Sequence, residues 1–263
     1  MRHVTVFLKR LGRALSCAAA LFLSLPAGPS LAADQEVDVE LVLAVDISQS
    51  MDEDEQDVQR RGYVSAIVSE EVGQAIQEGL IGRIAVTYVE WGGSDDQRVV
   101  APWHLIDGPA AARAFAEEIR AAPLRTVQRT SISSALAFSS GLFEANGFAG
   151  QRRVIDMSGD GPNNQGTHVR LARDMTIARG ITINGLPLML KGPNDWYAVP
   201  DLDLYYQDCV IGGPGAFLIP VRSLESFAAS IRRKLVLEIA GRDVVAETLP
   251  ASGRKPAECG LYE

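Results

Sequence analysis

The sequence predicts an α/β fold: a doubly wound, mostly parallel sheet with one antiparallel edge strand and helices on both faces. Three observations carry this expectation. From residue 37 onward, β-rich apolar runs alternate with stretches of helical periodicity. The first such run, 37–45 (VDVELVLAV), ends fully apolar, as a central strand covered on both faces does. One turn cluster, Gly92-Gly93-Ser94-Asp95-Asp96, joins two strand-like runs closely enough for a hairpin, which makes one neighbouring pair antiparallel.

The elements follow in order. Residues 52–78 read as one long helix, with Val64, Ile67, Val68, Val72, Ala75 and Ile76 along one face and Gly79 beyond its end. Residues 83–91 (RIAVTYVEW) read as a strand and 98–103 as its short hairpin partner. A helix over 109–121 comes next. A polar loop, 124–131, then leads into a helix with Ile132, Ala135, Leu136 and Phe143 at helical spacing. A strand over 153–157, a helix over 166–178 and a strand over 181–190 continue the alternation. An irregular stretch, 191–215, contains Pro193, Pro200 and Gly212-Gly213-Pro214-Gly215, and a strand over 216–221 follows it. Ser223 caps a last helix that carries Leu224, Phe227, Ala228, Ile231 and Leu235 on one face. No internal repeat or low-complexity linker interrupts 33–241, so one domain is expected there, with a weakly patterned tail over 242–263.

The chain has 263 residues, of which 47% are hydrophobic and 22% charged, so it has ample core and is too apolar for a disordered chain. Its formal net charge of −8 argues against a protein that reads the nucleic-acid backbone. Three His and three Cys cannot supply a zinc-finger array. Residues 2–13 carry Arg2, Lys9, Arg10 and Arg13 and no acid. An apolar run over 14–25 follows, then Pro26, then Ser30-Leu31-Ala32. This is the layout of a secretory signal peptide over 1–32, with cleavage near Ala32. The apolar run is shorter than the roughly 20 residues that a membrane span needs, and no later segment is long and apolar enough. Cleavage removes four bases and no acid, taking the net charge from −8 to −12, and it removes Cys17 and His3. The product is expected to be periplasmic or secreted. In that oxidising setting Cys209 and Cys259 can pair and tie the tail back to the loop near Cys209, the alternative being two free thiols.

Ligands of open α/β sheets bind beyond the carboxyl ends of the strands. There the first strand gives way to Asp46-Ile47-Ser48-Gln49-Ser50, with one carboxylate and two hydroxyls at alternating positions. These hard oxygen donors suit Mg²⁺, Mn²⁺ or Ca²⁺ rather than zinc; a polar helix cap is the plainer alternative. Ser158-Gly159-Asp160-Gly161 follows the strand at 153–157, where an ordinary Asp-Gly turn is the alternative. Arg129-Thr130-Ser131 places a hydroxyl before the helix at 132, where a simple cap is the alternative. Asp52, Glu53, Asp54, Glu55 and Asp57 crowd one helix start, which the helix dipole favours without any ligand.

Taken together, DISQS (46–50), Thr130 and SGDG (158–161), in that order on those elements, resemble the metal-ion-dependent adhesion site (MIDAS) of von Willebrand factor A (VWA) domains. The resemblance covers roughly residues 37–240 and extends to exported bacterial VWA-like proteins. It implies that Asp46, Ser48, Ser50, Thr130 and Asp160 hold a divalent cation, usually Mg²⁺, some of them through water. It also implies that an open position accepts an acidic side chain of a protein partner. Asp156 departs from the VWA pattern, in which that strand is wholly apolar. It reads either as a support behind the site, alongside Ser158, or as a surface-facing strand position. His168 lies just past the Asn163-Asn164-Gln165-Gly166 loop and reads either as a rim residue or as a helix-surface histidine. The functional expectation is a binding module rather than an enzyme. The alternatives are a metal-dependent hydrolase, in which Asp46 or Asp160 positions a metal-bound water, or a structural domain with a vestigial site. No general base stands near the motif in sequence, so no catalytic residue is assigned.

Overall fold

The computed structural model describes residues 33–192, 195, 199–241 and 255–262. The expected signal peptide, 1–32, and most of the 242–263 tail lie outside the described residues. The unit beginning at Asp34 contains a five-stranded sheet in the order β3-β2-β1-β4-β5. The strands are β1 (Gln35–Asp46), β2 (Ile84–Trp91), β3 (Gln97–Ile106), β4 (Phe148–Gly159) and β5 (Ile181–Pro187). Strand β1 pairs in parallel with β2 and β4, and β4 in parallel with β5. Strand β3 returns antiparallel along β2 and forms one edge.

Strand β1 lies at the centre, and alternation along it divides the core. Val39, Leu41, Leu43 and Val45 face α1 (Glu53–Ile67), α2 (Glu70–Gln77), α3 (Pro109–Ala121) and α7 (Leu224–Ala240). Val42 and Ala44 face α4 (Ile132–Gly141), α5 (Val169–Ala178), the short α6 (Leu202–Tyr205) and a π-helical turn, Tyr206–Val210. All these core positions of β1 are 0–1% exposed, which is why that run carries no polar alternation after Glu40.

Two expected elements differ, and the stretch read as irregular over 191–215 contains α6 and the π-helical turn. The stretch read as one helix over 52–78 is broken at Val68, because the Ser69 hydroxyl accepts from Val72 N at 3.3 Å and caps a new helix. The apolar periodicity runs through the break because α1 and α2 face the same layer. The strand expected over 216–221 forms isolated parallel bridges to the outer side of β5 instead. Gly185 N donates to Phe217 O, Ile219 N to Gly185 O, and Val221 N to Pro187 O, at 2.9–3.0 Å. Pro187 has no N–H for the next rung, so the ladder is interrupted there. Cys209 and Cys259 form a disulfide with a Cα–Cα distance of 5.5 Å, and this fastens residues 255–262 to the π-helical turn.

Candidate functional site

The parallel strands β1 and β4 end side by side, with Val45 opposite Ser158, so the loops after them meet. In the first loop Asp46 Oδ1 accepts from Ser48 N at 2.7 Å, a tight turn that aims the two following hydroxyls the same way. The Ser48 and Ser50 hydroxyls lie 3.0 Å apart, and Ser50 donates to Asp160 Oδ1 at 2.6 Å. Asp46, Ser48, Thr130 and Asp160 are all buried. Behind them Gln59 of α1 donates to Asp46 O at 3.0 Å and accepts from the Ser158 hydroxyl at 2.8 Å, bracing both loops from one side chain.

The loop bearing Thr130 is stitched to the other two. Val127 N donates to Ile47 O at 3.1 Å, Thr130 N donates to Asn164 Oδ1 at 2.9 Å, and Asn164 N returns a bond to Thr130 O at 2.8 Å. Arg129 adopts φ +71°, the left-handed region that costs a non-glycine residue on the order of 1–3 kcal/mol. Ser48, Ser50, Arg129, Thr130 and Asn164 line a cleft of about 320 Å³. The two glycines around Asp160 leave room for this convergence. A Cβ at Gly159 would stand 2.9 Å from Asp46 Oδ2 and 2.8 Å from Tyr206 Oη, and one at Gly161 would stand 3.9 Å from Thr130 Oγ1.

The electrostatics of the cleft are unbalanced. Asp46 Oδ2 is buried with no hydrogen-bond partner among the described residues. Burial first, and the neighbouring Asp160 carboxylate second, push the Asp46 carboxyl up to about 8. Such an orphaned carboxylate oxygen beside a second carboxylate and two hydroxyls matches the donor set of a hard divalent cation. Among the described residues no cluster of three or more His, Cys, Asp or Glu offers a rival metal position.

Three residues that the motif does not contain also reach the site. Lys191, beyond β5, forms an ion pair with Asp160 Oδ2 and lies 3.7 Å from Glu55. Burial works against the Lys191 charge, but Asp160 and Glu55 outweigh it, and the ammonium is raised above its ordinary range. Glu55 was legible only as part of the acidic helix start; it closes a capping box with Asp52 and also faces Lys191. Tyr206 is fully buried, its hydroxyl has no hydrogen-bond partner among the described residues, and burial together with Asp46 and Asp160 pushes it well above the ordinary tyrosine range. Its neighbour Tyr205 accepts from Asn163 N at 3.1 Å.

Asp156 lies elsewhere. It is 1% exposed, so it is not a surface position, and it bonds no loop hydroxyl. Its Oδ1 meets Lys234 Nζ of α7 at 2.6 Å and its Oδ2 accepts from the Tyr63 hydroxyl at 3.3 Å, in a buried network completed by Glu238 and Asn184. The network replaces the apolar side chain expected on that strand because α7 brings an ammonium onto it. Burial, then Asp156, raise Glu238 to about 7. His168 is exposed and caps α5, accepting from Arg170 N at 3.3 Å.

Solved structures with this fold include proximal thread matrix protein 1 from the mussel byssus, in a form whose MIDAS motif is occupied by zinc. It has a TM-score of 0.57 and 16% identity, over 79% of this chain and 49% of that one, so this chain spans about half its length. The pilus adhesin SpaC from Lactobacillus rhamnosus GG aligns with a TM-score of 0.57 and 13% identity, over 79% of this chain and 31% of that one. The vWF domain of the type V pili tip protein Mfa5 from Porphyromonas gingivalis aligns with a TM-score of 0.53 and 10% identity, over 78% and 96%. At these identities the likeness is one of fold. No curated protein matches the chain. The fold is that of VWA domains, and a family model described as a protein of unknown function (DUF1194) matches residues 36–243, so the chain belongs to the DUF1194 family.

Proposed function

We propose that this protein is an exported binding module whose cleft holds a divalent cation, Mg²⁺ by preference, and engages a protein partner through it. The observation that carries this reading is the buried, unpartnered Asp46 Oδ2 beside Asp160. Asp46, Ser48, Ser50, Thr130 and Asp160 are the residues that would hold the ion. A bound cation supplies an open, Lewis-acidic position for an oxygen ligand, and an acidic side chain of the partner fits it. The chain's own residues do the rest. Gln59, Ser158 and Asn164 fix the three loops, and the exposed Arg129 on the cleft rim adds positive charge for an acidic partner. The zinc-occupied MIDAS of one structural neighbour, and the presence of a pilus adhesin and a pili tip protein among the others, support the choice of module. The signal-peptide layout of 1–32 supports export. Calorimetric titration with Mg²⁺, Mn²⁺ and Ca²⁺ tests the metal, and capture from envelope extract with and without EDTA tests the partner. Mg²⁺ binding that disappears in Asp46→Ala and Asp160→Ala, with partner release by EDTA, is expected. A wild-type protein that binds none of the three ions overturns the reading.

A further inference from the structure

The Lys191 side chain, 12% exposed, lies beside the candidate ligands between two carboxylates, Asp160 at 3% and Glu55 at 13%. Asp160 is thereby fully engaged, with Ser50 on Oδ1 and the ammonium on Oδ2, while Asp46 Oδ2 keeps no partner. The backbone leading to Lys191 is anchored, since Leu188 N donates to Gly159 O at 2.9 Å and Met189 N to Val221 O at 2.7 Å. The ammonium therefore sits on a flexible stem rooted beside the loop that it neutralises. A buried ion pair adds little to stability once both charges are desolvated, so fold stability does not account for this one. The residue type is informative as well. Lysine is rare here, at Lys9, Lys191, Lys234 and Lys255, while the remaining basic residues are arginine. Lysine alone presents a compact, point-like charge that withdraws along its stem, whereas guanidinium is a broad planar fork.

We propose that Lys191 is a tethered cation that completes the metal-free cleft, so that binding of a divalent ion is an exchange in which the ammonium leaves Asp160 as the ion arrives. This rests on the metal-binding reading above and adds to it a built-in competitor. Cation affinity is set below what the oxygen ligands alone would give, and a freed lysine stands at the cleft only in the ion-bound form.

The test uses Mn²⁺ alone as probe, with calorimetry on wild type, Lys191→Met and Lys191→Arg. Removing a unit positive charge a few ångströms from the ion tightens binding by about tenfold or more in Lys191→Met. Lys191→Arg keeps a positive charge at Asp160 but not the compact ammonium that can withdraw, so it should bind Mn²⁺ no more tightly than wild type, which separates loss of charge from loss of packing. A second readout needs no variant. Acetylation with N-hydroxysuccinimidyl acetate, quantified by peptide mass spectrometry, reports Lys191 against the exposed Lys255 and the fully buried Lys234. Saturating Mn²⁺ is expected to speed Lys191 acetylation and leave Lys255 unchanged. Equal Mn²⁺ affinity in wild type and Lys191→Met, or Lys191 acetylation indifferent to Mn²⁺, overturns the exchange while the metal reading stands. Absence of Mn²⁺ binding in all three proteins overturns both.

Discussion

Replacing Asp46 by Asn separates the electrostatic cost of the candidate site from its geometry. Asn keeps the oxygen that accepts from Ser48 N and removes the charge from Oδ2. An aspartate near 3.8 in the unfolded chain is held at about 8 in the folded one. Between those values the folded state binds a proton that the unfolded state lacks, so stability falls as pH rises through the window and levels off above about 8. At about 1.4 kcal/mol per pH unit, the full span is on the order of 5 kcal/mol. The amide's unpaired N–H groups take back about 1–3 kcal/mol at every pH. The two stability curves therefore cross near pH 5: in EDTA the variant is less stable than wild type near pH 4 and more stable by about 3 kcal/mol near pH 9. Urea denaturation at a series of pH values in EDTA, repeated with saturating Mg²⁺, measures this. The ion is expected to restore the wild type above the variant at pH 9. A wild type that stays more stable than the variant at pH 9 in EDTA would show that Asp46 is already compensated, and the electrostatic argument for a cation would go with it.

Three further outcomes are expected. Gly159→Ala forces a methyl against Asp46 Oδ2 and Tyr206 Oη; it should cost about 1–3 kcal/mol in urea and weaken Mn²⁺ binding measured by calorimetry. Cys209→Ser opens a loop with a sequence separation of 50 and should cost about 4 kcal/mol, read by denaturation under oxidising conditions, with little further change on adding reductant. Lys234→Met strands Asp156 and Glu238 in the core and should cost about 3–5 kcal/mol, read by urea denaturation.

The sequence made the sheet legible because its strands advertise themselves locally. The apolar end of β1, the Gly-Gly hairpin and the alternating helices required no long-range information. The candidate ligands were legible for the same reason, as each is a short motif at the end of a strand or the start of a helix. Its supports were not. Lys191 follows Asp160 by 31 residues and Tyr206 follows Asp46 by far more; nothing near either in sequence hints at a carboxylate. Their roles arise from the order in which the strands are laid down, which brings the loop after β5 beside the loop after β4. Asp156 was legible as an anomaly but not as an ion pair, since its partner lies on the last helix. The break at Val68 was hidden by continuous periodicity, although Ser69 followed by two glutamates is itself a helix-start signal.

The disulfide has a consequence for the timing of maturation. Tyr205 and Tyr206, which meet the cleft from below, precede Cys209 by a turn, and Cys209 is closed by a residue made 50 positions later. The Tyr205 ring also packs 6.4 Å from that of Tyr262 in the same tail. The floor of the cleft is therefore fastened only after Cys259 has been made and oxidised. With the bridge open, every candidate ligand would sit on a looser floor, so cation affinity would report whether Cys209 and Cys259 are joined.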